Sequence, residues 1–299
     1  MPRSAAYFDG WYADMAGSAA KDEIMRRHLR LPPYLLSTSS LGWDGIGEVT
    51  EALRLSPGDI LLDLACGRGG YGLEIAARSG AVLVGVDFSA EAVRQARDLA
   101  QRLGRQADFR TGDLAATGLG ARSVGAVLCV DAIQFAEQPD AAYREVRRVL
   151  APGGRAVLTC WEPLDPADGR VLGRLRRVNL RAGLTAAGFG DVQVRERPRW
   201  RACERAMWQE AVSIDPGDDP ALRSFRDEAL RSLETFGLIR RVMASATAPL
   251  TSAGPLRPAD KPGLPVRSAE DTDVGWGDQT EPDDDQRFSR DRPPHWDSA

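Results

Sequence analysis

The sequence predicts an α/β fold: a doubly wound, mostly parallel, seven-stranded sheet over residues 56–250, an N-terminal helical lid at 1–55 and a disordered acidic tail at 251–299. Three observations predict it. From Pro57 onward, short apolar runs alternate with helical stretches, the pattern of βαβ units. A glycine-rich turn carrying Gly67, Gly69 and Gly72 joins the first apolar run to the helix after it. From Thr251 the chain is rich in Pro, Gly, Asp and Arg with few aliphatics, too little apolar surface to order itself.

The elements follow in order. Residues 1–55 read as two or three helices carrying Tyr7, Phe8, Trp11, Tyr12, Tyr34 and Trp43. An aromatic stripe of this kind packs against a sheet, and aromatic walls also line small-molecule sites, so Trp11, Tyr12 and Tyr34 are candidate substrate contacts, with Trp161. The strands are "DILLDLA" from Asp59, "AVLVGVD" from Ala81, "ADFRTGD" from Ala107, "GAVLCVDA" from Gly125 and "GRAVLTC" from Gly154. Helices start at about Gly70, after Ser89, which is a side-chain cap for the amides of the next turn, and at Pro139. "APGG" at Ala151–Gly154 suits a turn with Pro second and Gly third. Beyond Trp161 the pattern changes to an arginine-rich amphipathic helix at 170–189, the strand "DVQVRER", a helical stretch at 205–237 and a last strand, "IRRVMASAT". A solvated face is the plain reading of those arginines; gripping an anionic substrate is the other. Within the tail, Trp276 and Trp296 are isolated aromatics, a docking peptide or nothing.

Composition narrows the class. Apolar content of 43% is that of an ordinary globular protein, and no run approaches a membrane span or a signal peptide. The expected setting is the cytoplasm, with no membrane partner. Four cysteines stand singly and only two histidines are present, so no metal site is expected. Without the tail the chain holds 33 basic and 32 acidic residues, a balance that argues against a nucleic-acid binder. Lysine occurs only at Lys21 and Lys261; the arginine bias of an Ala-rich chain reads as a GC-rich bacterial genome.

The turn itself, "DILLDLACGRGGYG", holds a Gly-x-Gly-x-x-Gly that by its spacing serves dinucleotide and sulfonium cofactors alike. Its neighbours discriminate. A carboxylate at Asp63, just before the turn, repels a pyrophosphate and favours an amine or sulfonium, on the order of a few kcal/mol at a dielectric near 20. Asp87, at the end of the second strand, is placed to accept hydrogen bonds from both hydroxyls of a ribose. A ribose near a cation with no phosphate between describes S-adenosylmethionine better than NAD.

Residues 55–160 also resemble the core of a class I S-adenosylmethionine-dependent methyltransferase of the small-molecule, bacterial kind, whose sheet is Rossmann-like. "LLDLACGRGG", "VGVDFS", "TGDLAATGL", "AVLCVDAIQF" and "RRVLAPGGRAVLT" carry the resemblance in order. It implies Asp63 and the turn Ala65, Gly67 and Gly69 at the methionine moiety. It also implies Asp87 at the ribose, Asp113 with Leu114 at the adenine, and Phe88 among the cofactor contacts. Asp131 would face the cofactor's amino-acid end or the substrate. The chain departs from the pattern twice. Ala65 stands where a first glycine is usual, acceptable if that position needs no positive φ and only close backbone approach. Gln134 stands where some relatives carry a histidine.

Methyl transfer from a sulfonium is an in-line displacement that needs alignment and exclusion of water, and a base only if the nucleophile is protonated and weakly acidic. Asp131 and Gln134 are the candidate catalytic residues; Glu162 and Tyr34 are further candidate bases, none well placed by sequence, while His28, in an arginine-rich N-terminal stretch, reads as a surface residue. The expected acceptor is therefore a small molecule needing little deprotonation. Three readings stay open beside it: an NAD(P)-dependent oxidoreductase, a protein or RNA methyltransferase, and a non-catalytic scaffold that keeps the cofactor.

Overall fold

The computed structural model describes residues 5–15, 17–35 and 39–250; the expected acidic tail, with Trp276 and Trp296, lies outside them. Seven strands form one sheet: β1 (Ile60–Leu64), β2 (Val82–Asp87), β3 (Ala107–Thr111), β4 (Val124–Val130), β5 (Leu150–Pro163), β6 (Gly190–Glu196) and β7 (Ile239–Thr247). Their order is β3-β2-β1-β4-β5-β7-β6, with β7 antiparallel to both neighbours and every other pairing parallel. The order reverses between β1 and β4. In a doubly wound sheet the crevice for a ligand opens outside the carboxyl ends of the strands at that reversal.

Central strands of such a sheet are buried on both faces, which is why they read as unbroken apolar runs. In β1 and β4, Leu61, Leu62, Ala126, Val127 and Leu128 are fully buried. Helices α4 (Gly70–Ser79), α5 (Ala90–Arg102) and α6 (Pro139–Val149) connect them. Ser89 caps α5 as its position predicts, its Oγ accepting from the Ala92 amide at 3.1 Å.

The N-terminal segment forms three helices, α1 (Ala5–Met15), α2 (Ala19–Leu29) and α3 (Trp43–Leu53). They do not stand apart from the sheet. Ile24, Leu29, Ile46 and Leu53 share one apolar core with Leu61, Leu73 and Phe109.

Two expected helices are each broken in two, for reasons of capping. The arginine-rich stretch forms α7 (Gly173–Arg176) and α8 (Leu180–Ala186). Asn179 caps Ala182, and the carboxylate of Glu162 takes the Leu180 amide at 2.8 Å, so a new helix starts there. The stretch 205–237 belongs to α9 (Pro198–Ser213) and α10 (Pro220–Thr235), separated where Asp219 caps Leu222 and Pro220 occupies the first helical position. Among the described residues no helix is long and apolar enough to cross a membrane.

Candidate cofactor and acceptor site

At the end of β1 the chain turns sharply: Ala65, Gly67 and Gly69 have φ of 58°, 52° and 77°. This corrects the expectation for Ala65. The position does require a positive φ, and an alanine holds it at a cost of about 1 kcal/mol because its Cβ crowds the following carbonyl. Neighbouring contacts hold it there: the Cys66 amide bonds the Val86 carbonyl at 3.0 Å and the Gly69 amide the Cys66 carbonyl at 2.9 Å. The turn is thus pinned to β2 and closed on itself.

The third glycine has a different role from the one its spacing suggests. A Cβ on Gly72 would lie 2.6 Å from Oδ2 of Asp63. Its absence lets the buried carboxylate reach the first turn of α4, where the Gly72 amide donates to Oδ2 at 3.1 Å. Burial pushes the Asp63 carboxyl up to about 7, with nearby Asp87 adding to the shift and the Gly72 amide opposing it.

Asp87, also buried, closes the other side of the turn. Its Oδ2 accepts from the Gly67 amide at 2.8 Å and its Oδ1 from the Ser89 amide at 3.0 Å. Burial again dominates and pushes it up to about 6. Among the described residues no cation lies within ion-pair distance of Asp63 or Asp87. Two buried carboxylates with no cationic partner suit a ligand that brings positive charge and hydroxyl donors. They oppose a pyrophosphate.

Beyond Asp87, the Phe88 ring lies 5.0 Å from that of Phe8 on α1, and Phe8 lies 5.6 Å from Phe135, just past β4. Trp11 and Tyr12 join this cluster edge-on or tilted. Phe8 therefore bridges the ends of β2 and β4 over the turn. Asp9 fixes α1 in place, its Oδ1 accepting from Ser89 Oγ at 2.5 Å and from the Glu91 amide at 3.1 Å. At the end of β3, exposed Asp113 accepts from the Ala115 amide at 2.8 Å, and Leu114 packs against the core on the opposite face of the sheet.

The acceptor side, past β4, is built on a different plan. Asp131 stands at φ 58° and is buried. Arg241 of β7 grips it with Nη1 on Oδ1 at 2.5 Å and Nη2 on Oδ2 at 2.7 Å. Thr159 Oγ1 donates to Oδ1 at 2.6 Å and the Ser40 amide to Oδ2 at 3.4 Å. Arg241 is only 1% exposed, and its guanidinium lies 4.2 Å from the Trp161 ring. The Trp161 indole in turn donates to Glu204 of α9 at 3.0 Å, as does Trp208 at 3.2 Å. Burial pushes Glu204 up to about 7 against the pull of Arg241.

Gln134 is buried beside Asp131, donating to its carbonyl at 3.1 Å and accepting from Arg174 Nε at 3.3 Å. The other sequence candidates are held elsewhere. Glu162 accepts from the Leu180 amide and from Arg240 at 2.8 Å each. Tyr34 donates to Glu74 on α4 at 2.9 Å, and His28 of α2 bonds Glu210 of α9 at 2.5 Å. So the structure brings together Asp63, the turn, Asp87, Phe88, Asp131 and Gln134, with Trp11 and Tyr12 above and Trp161 behind Arg241. It ties Tyr34 to the flank of α4 instead.

Arg241, Glu204 and Thr159 escaped the sequence reading. Arg240 and Arg241 are adjacent in a strand and so point to opposite faces, and nothing local says which is buried.

Residues 61–154 match the model of a methyltransferase domain. Squalene methyltransferase 2 of Botryococcus braunii is 36% identical over 123 residues, 40% of this chain and 32% of that one. The matched stretch spans about a third of the length of the first curated relatives. Among solved structures, the [4+2]-cyclase SpnF is similar with a TM-score of 0.59 at 24% identity, over 69% of this chain and 80% of that one. Phosphoethanolamine N-methyltransferase 2 of Haemonchus contortus, in complex with S-adenosylmethionine, gives 0.63 at 17% identity over 78% and 61%.

Proposed function

Because the chain belongs to the class I S-adenosylmethionine-dependent methyltransferases, we propose that it moves a methyl group from that cofactor to a small-molecule acceptor whose nucleophile needs little deprotonation. The observation that carries the reading is the pair of buried carboxylates, Asp63 and Asp87, flanking the glycine turn without a cationic partner among the described residues. They fit the amine and sulfonium and the ribose hydroxyls of this cofactor, and they argue against NAD(P).

When bound, S-adenosylmethionine supplies an electrophilic methyl group on a sulfonium. The chain's own residues do the rest. Asp63 and the turn hold the amino-acid end, Asp87 holds the ribose, and Phe88 with Asp113 and Leu114 borders the adenine side. Phe8 and Trp11 on α1 keep water from the reacting centre, where alignment and desolvation lower the barrier. Asp131 is saturated by Arg241, Thr159 and Ser40, so it shapes the floor of the acceptor side and does not abstract a proton. Glu162, Tyr34 and His28 are each engaged as well. An amine, an activated carbon or an acidic phenol is the acceptor such a site can serve.

The test uses the full chain with methyl-labelled cofactor against fractionated small-molecule extracts, RNA and protein. Label in a small-molecule fraction, retained in the Glu162→Gln variant, is the expected result. Label confined to protein or RNA would overturn the acceptor class, and loss of transfer in Glu162→Gln with cofactor binding intact would restore a carboxylate base. Cofactor binding without any transfer favours a non-methylating use of the fold.

A further inference from the structure

The arginines that follow β5 do not share one environment. Residues 170–181 carry Arg170, Arg174, Arg176, Arg177 and Arg181 and no acid. Four of them form the solvated face that an amphipathic pattern suggests: Arg176 and Arg177 are exposed, as are Arg170, which meets Asp168 at 2.6 Å, and Arg181, whose Nη1 donates to the Val192 carbonyl at 2.8 Å. Arg174 is half-buried. Its Nε donates to Gln134 Oε1 at 3.3 Å and its guanidinium lies 5.3 Å from the centre of the Phe135 ring. Both neighbours stand just past β4, on the acceptor side.

Packing fixes that position. Val171 and Leu175, on either side of Arg174 in the chain, are buried with Ile239 of β7 in a small cluster against which Trp161 packs. A run of contacts then leads to the cofactor end, because Phe135 lies 5.6 Å from Phe8 and Phe8 lies 5.0 Å from Phe88. Charge points the same way. Gln134 is a neutral amide, itself held by the Asp131 carbonyl at 3.1 Å, so it orients the guanidinium without neutralising it. Asp131 and Glu162 are already balanced by Arg241 and Arg240, so neither opposes an anion there. A guanidinium offers five N–H donors in a fixed fork, and the bond to Gln134 uses one.

We infer that the methyl acceptor carries an anionic group, a carboxylate or a phosphate, and that Arg174 receives it while Gln134 and Phe135 hold the guanidinium in place. This rests on the small-molecule methyltransferase reading above and narrows its acceptor. The anionic group and the nucleophile are separate parts of one molecule: the first anchors it at Arg174, the second meets the methyl group. In-line displacement gains from such an anchor, because a charge-assisted contact at one end of the acceptor limits the directions in which the other end can lie.

Equilibrium binding to the full chain saturated with S-adenosylhomocysteine tests it, with benzoate, phenyl phosphate and benzamide as probes that each offer a ring to the aromatic wall and differ in charge. One of the two anions binds at least tenfold more tightly than benzamide; benzoate in the lead marks a carboxylate acceptor, phenyl phosphate a phosphate. Arg174→Met brings that anion within twofold of benzamide and leaves the affinity for S-adenosylhomocysteine within twofold, Arg174→Lys keeps part of the preference, and Arg176→Gln, at an exposed neighbour, changes it less than twofold. In the transfer assay, the labelled small-molecule product is retained on an anion exchanger. The inference fails, with the methyltransferase reading left standing, if wild type shows no preference for an anion, if the preference survives Arg174→Met or falls equally in Arg176→Gln, or if the labelled product is not retained. Should Arg174→Met not fold, Arg174→Lys carries the same comparison. A wild-type chain that does not bind S-adenosylhomocysteine would sink the cofactor reading instead.

Discussion

The two ends of the crevice use the same residue type in opposite ways. At the cofactor end Asp63 and Asp87 are buried, accept only backbone amides among the described residues and are pushed up to about 7 and 6 by desolvation. At the acceptor end Asp131 is buried as well but is neutralised by Arg241, just as Glu162, held away from the crevice at the end of β5, is neutralised by Arg240. A buried carboxylate left without a cation is a standing demand for one, whereas a carboxylate already in an ion pair is scaffold. The difference teaches where this chain keeps charge available for ligand and where it has used charge to fix its own shape.

The largest expected effect breaks the scaffold end. Arg241→Met strands a buried carboxylate and costs about 3–5 kcal/mol of stability, read as a lowered midpoint in chemical denaturation. Removing both charges in Asp131→Asn with Arg241→Met restores at least half of that loss. If the double variant is no better than the single, the pair does not act as a unit and the contrast between the two ends collapses.

Next in size, the cofactor end is probed by Asp63→Asn, which keeps an acceptor for the Gly72 amide and removes the charge. Affinity for S-adenosylmethionine drops about tenfold, about 1.4 kcal/mol, with little loss of stability. The pH dependence sharpens this. Asp63 has a folded-state pKa near 7 against an ordinary value of 3.8, so the folded protein keeps the proton longer than the unfolded chain. The carboxyl therefore destabilises the ligand-free protein progressively as pH rises from about 4 to 7. In that window the stability of wild type relative to Asp63→Asn declines by up to about 1.4 kcal/mol per pH unit. Cofactor affinity runs the other way in wild type, falling as pH drops below 7, and is flatter in the variant. Parallel stability curves would mean that Asp63 is not held protonated.

The smallest effect tests whether the roof over the cofactor end is independent of both charge systems. Asp9→Ala removes the contact from α1 to the start of α5 and costs about 1 kcal/mol. The Trp11 fluorescence shifts as α1 loosens, while the Arg241→Met penalty measured in the same background is unchanged. Coupling between the two would show that the ends are not separate.

Much of this architecture was readable from local pattern. Apolar runs such as "DILLDLA" and "AVLCVDA" specify central strands because both faces are buried, and Asp63 and Asp87 stand out because an acid at the end of such a run has to be explained. What was not readable depends on contacts distant in sequence. Arg241 meets Asp131 across 110 positions, and no spacing rule connects them. Ala65 misled for a different reason: positive φ is expected at glycine, and only the bonds pinning Cys66 and Gly69 reveal that an alanine was held there. Tyr34 looked like a pocket aromatic, but its hydroxyl is claimed by Glu74, a pairing that depends on how α4 lies against the N-terminal segment. The breaks at Asn179 and Asp219 are made by capping side chains that the longer apolar periodicity around them hides in the sequence.

The missing side chain at Gly72 has a consequence for how the sequence can vary. Because a methyl there would meet the Asp63 oxygen at 2.6 Å, positions 63 and 72 behave as a single two-letter unit. A library randomising both together and selected for cofactor binding should return Gly72 almost wherever it returns an acid at 63. Where selection is for folding alone, glycine at 63 should remove the sharpest of these clashes, and position 72 then accepts alanine only where Leu83, whose Cδ1 would lie 3.0 Å from the new methyl, gives way.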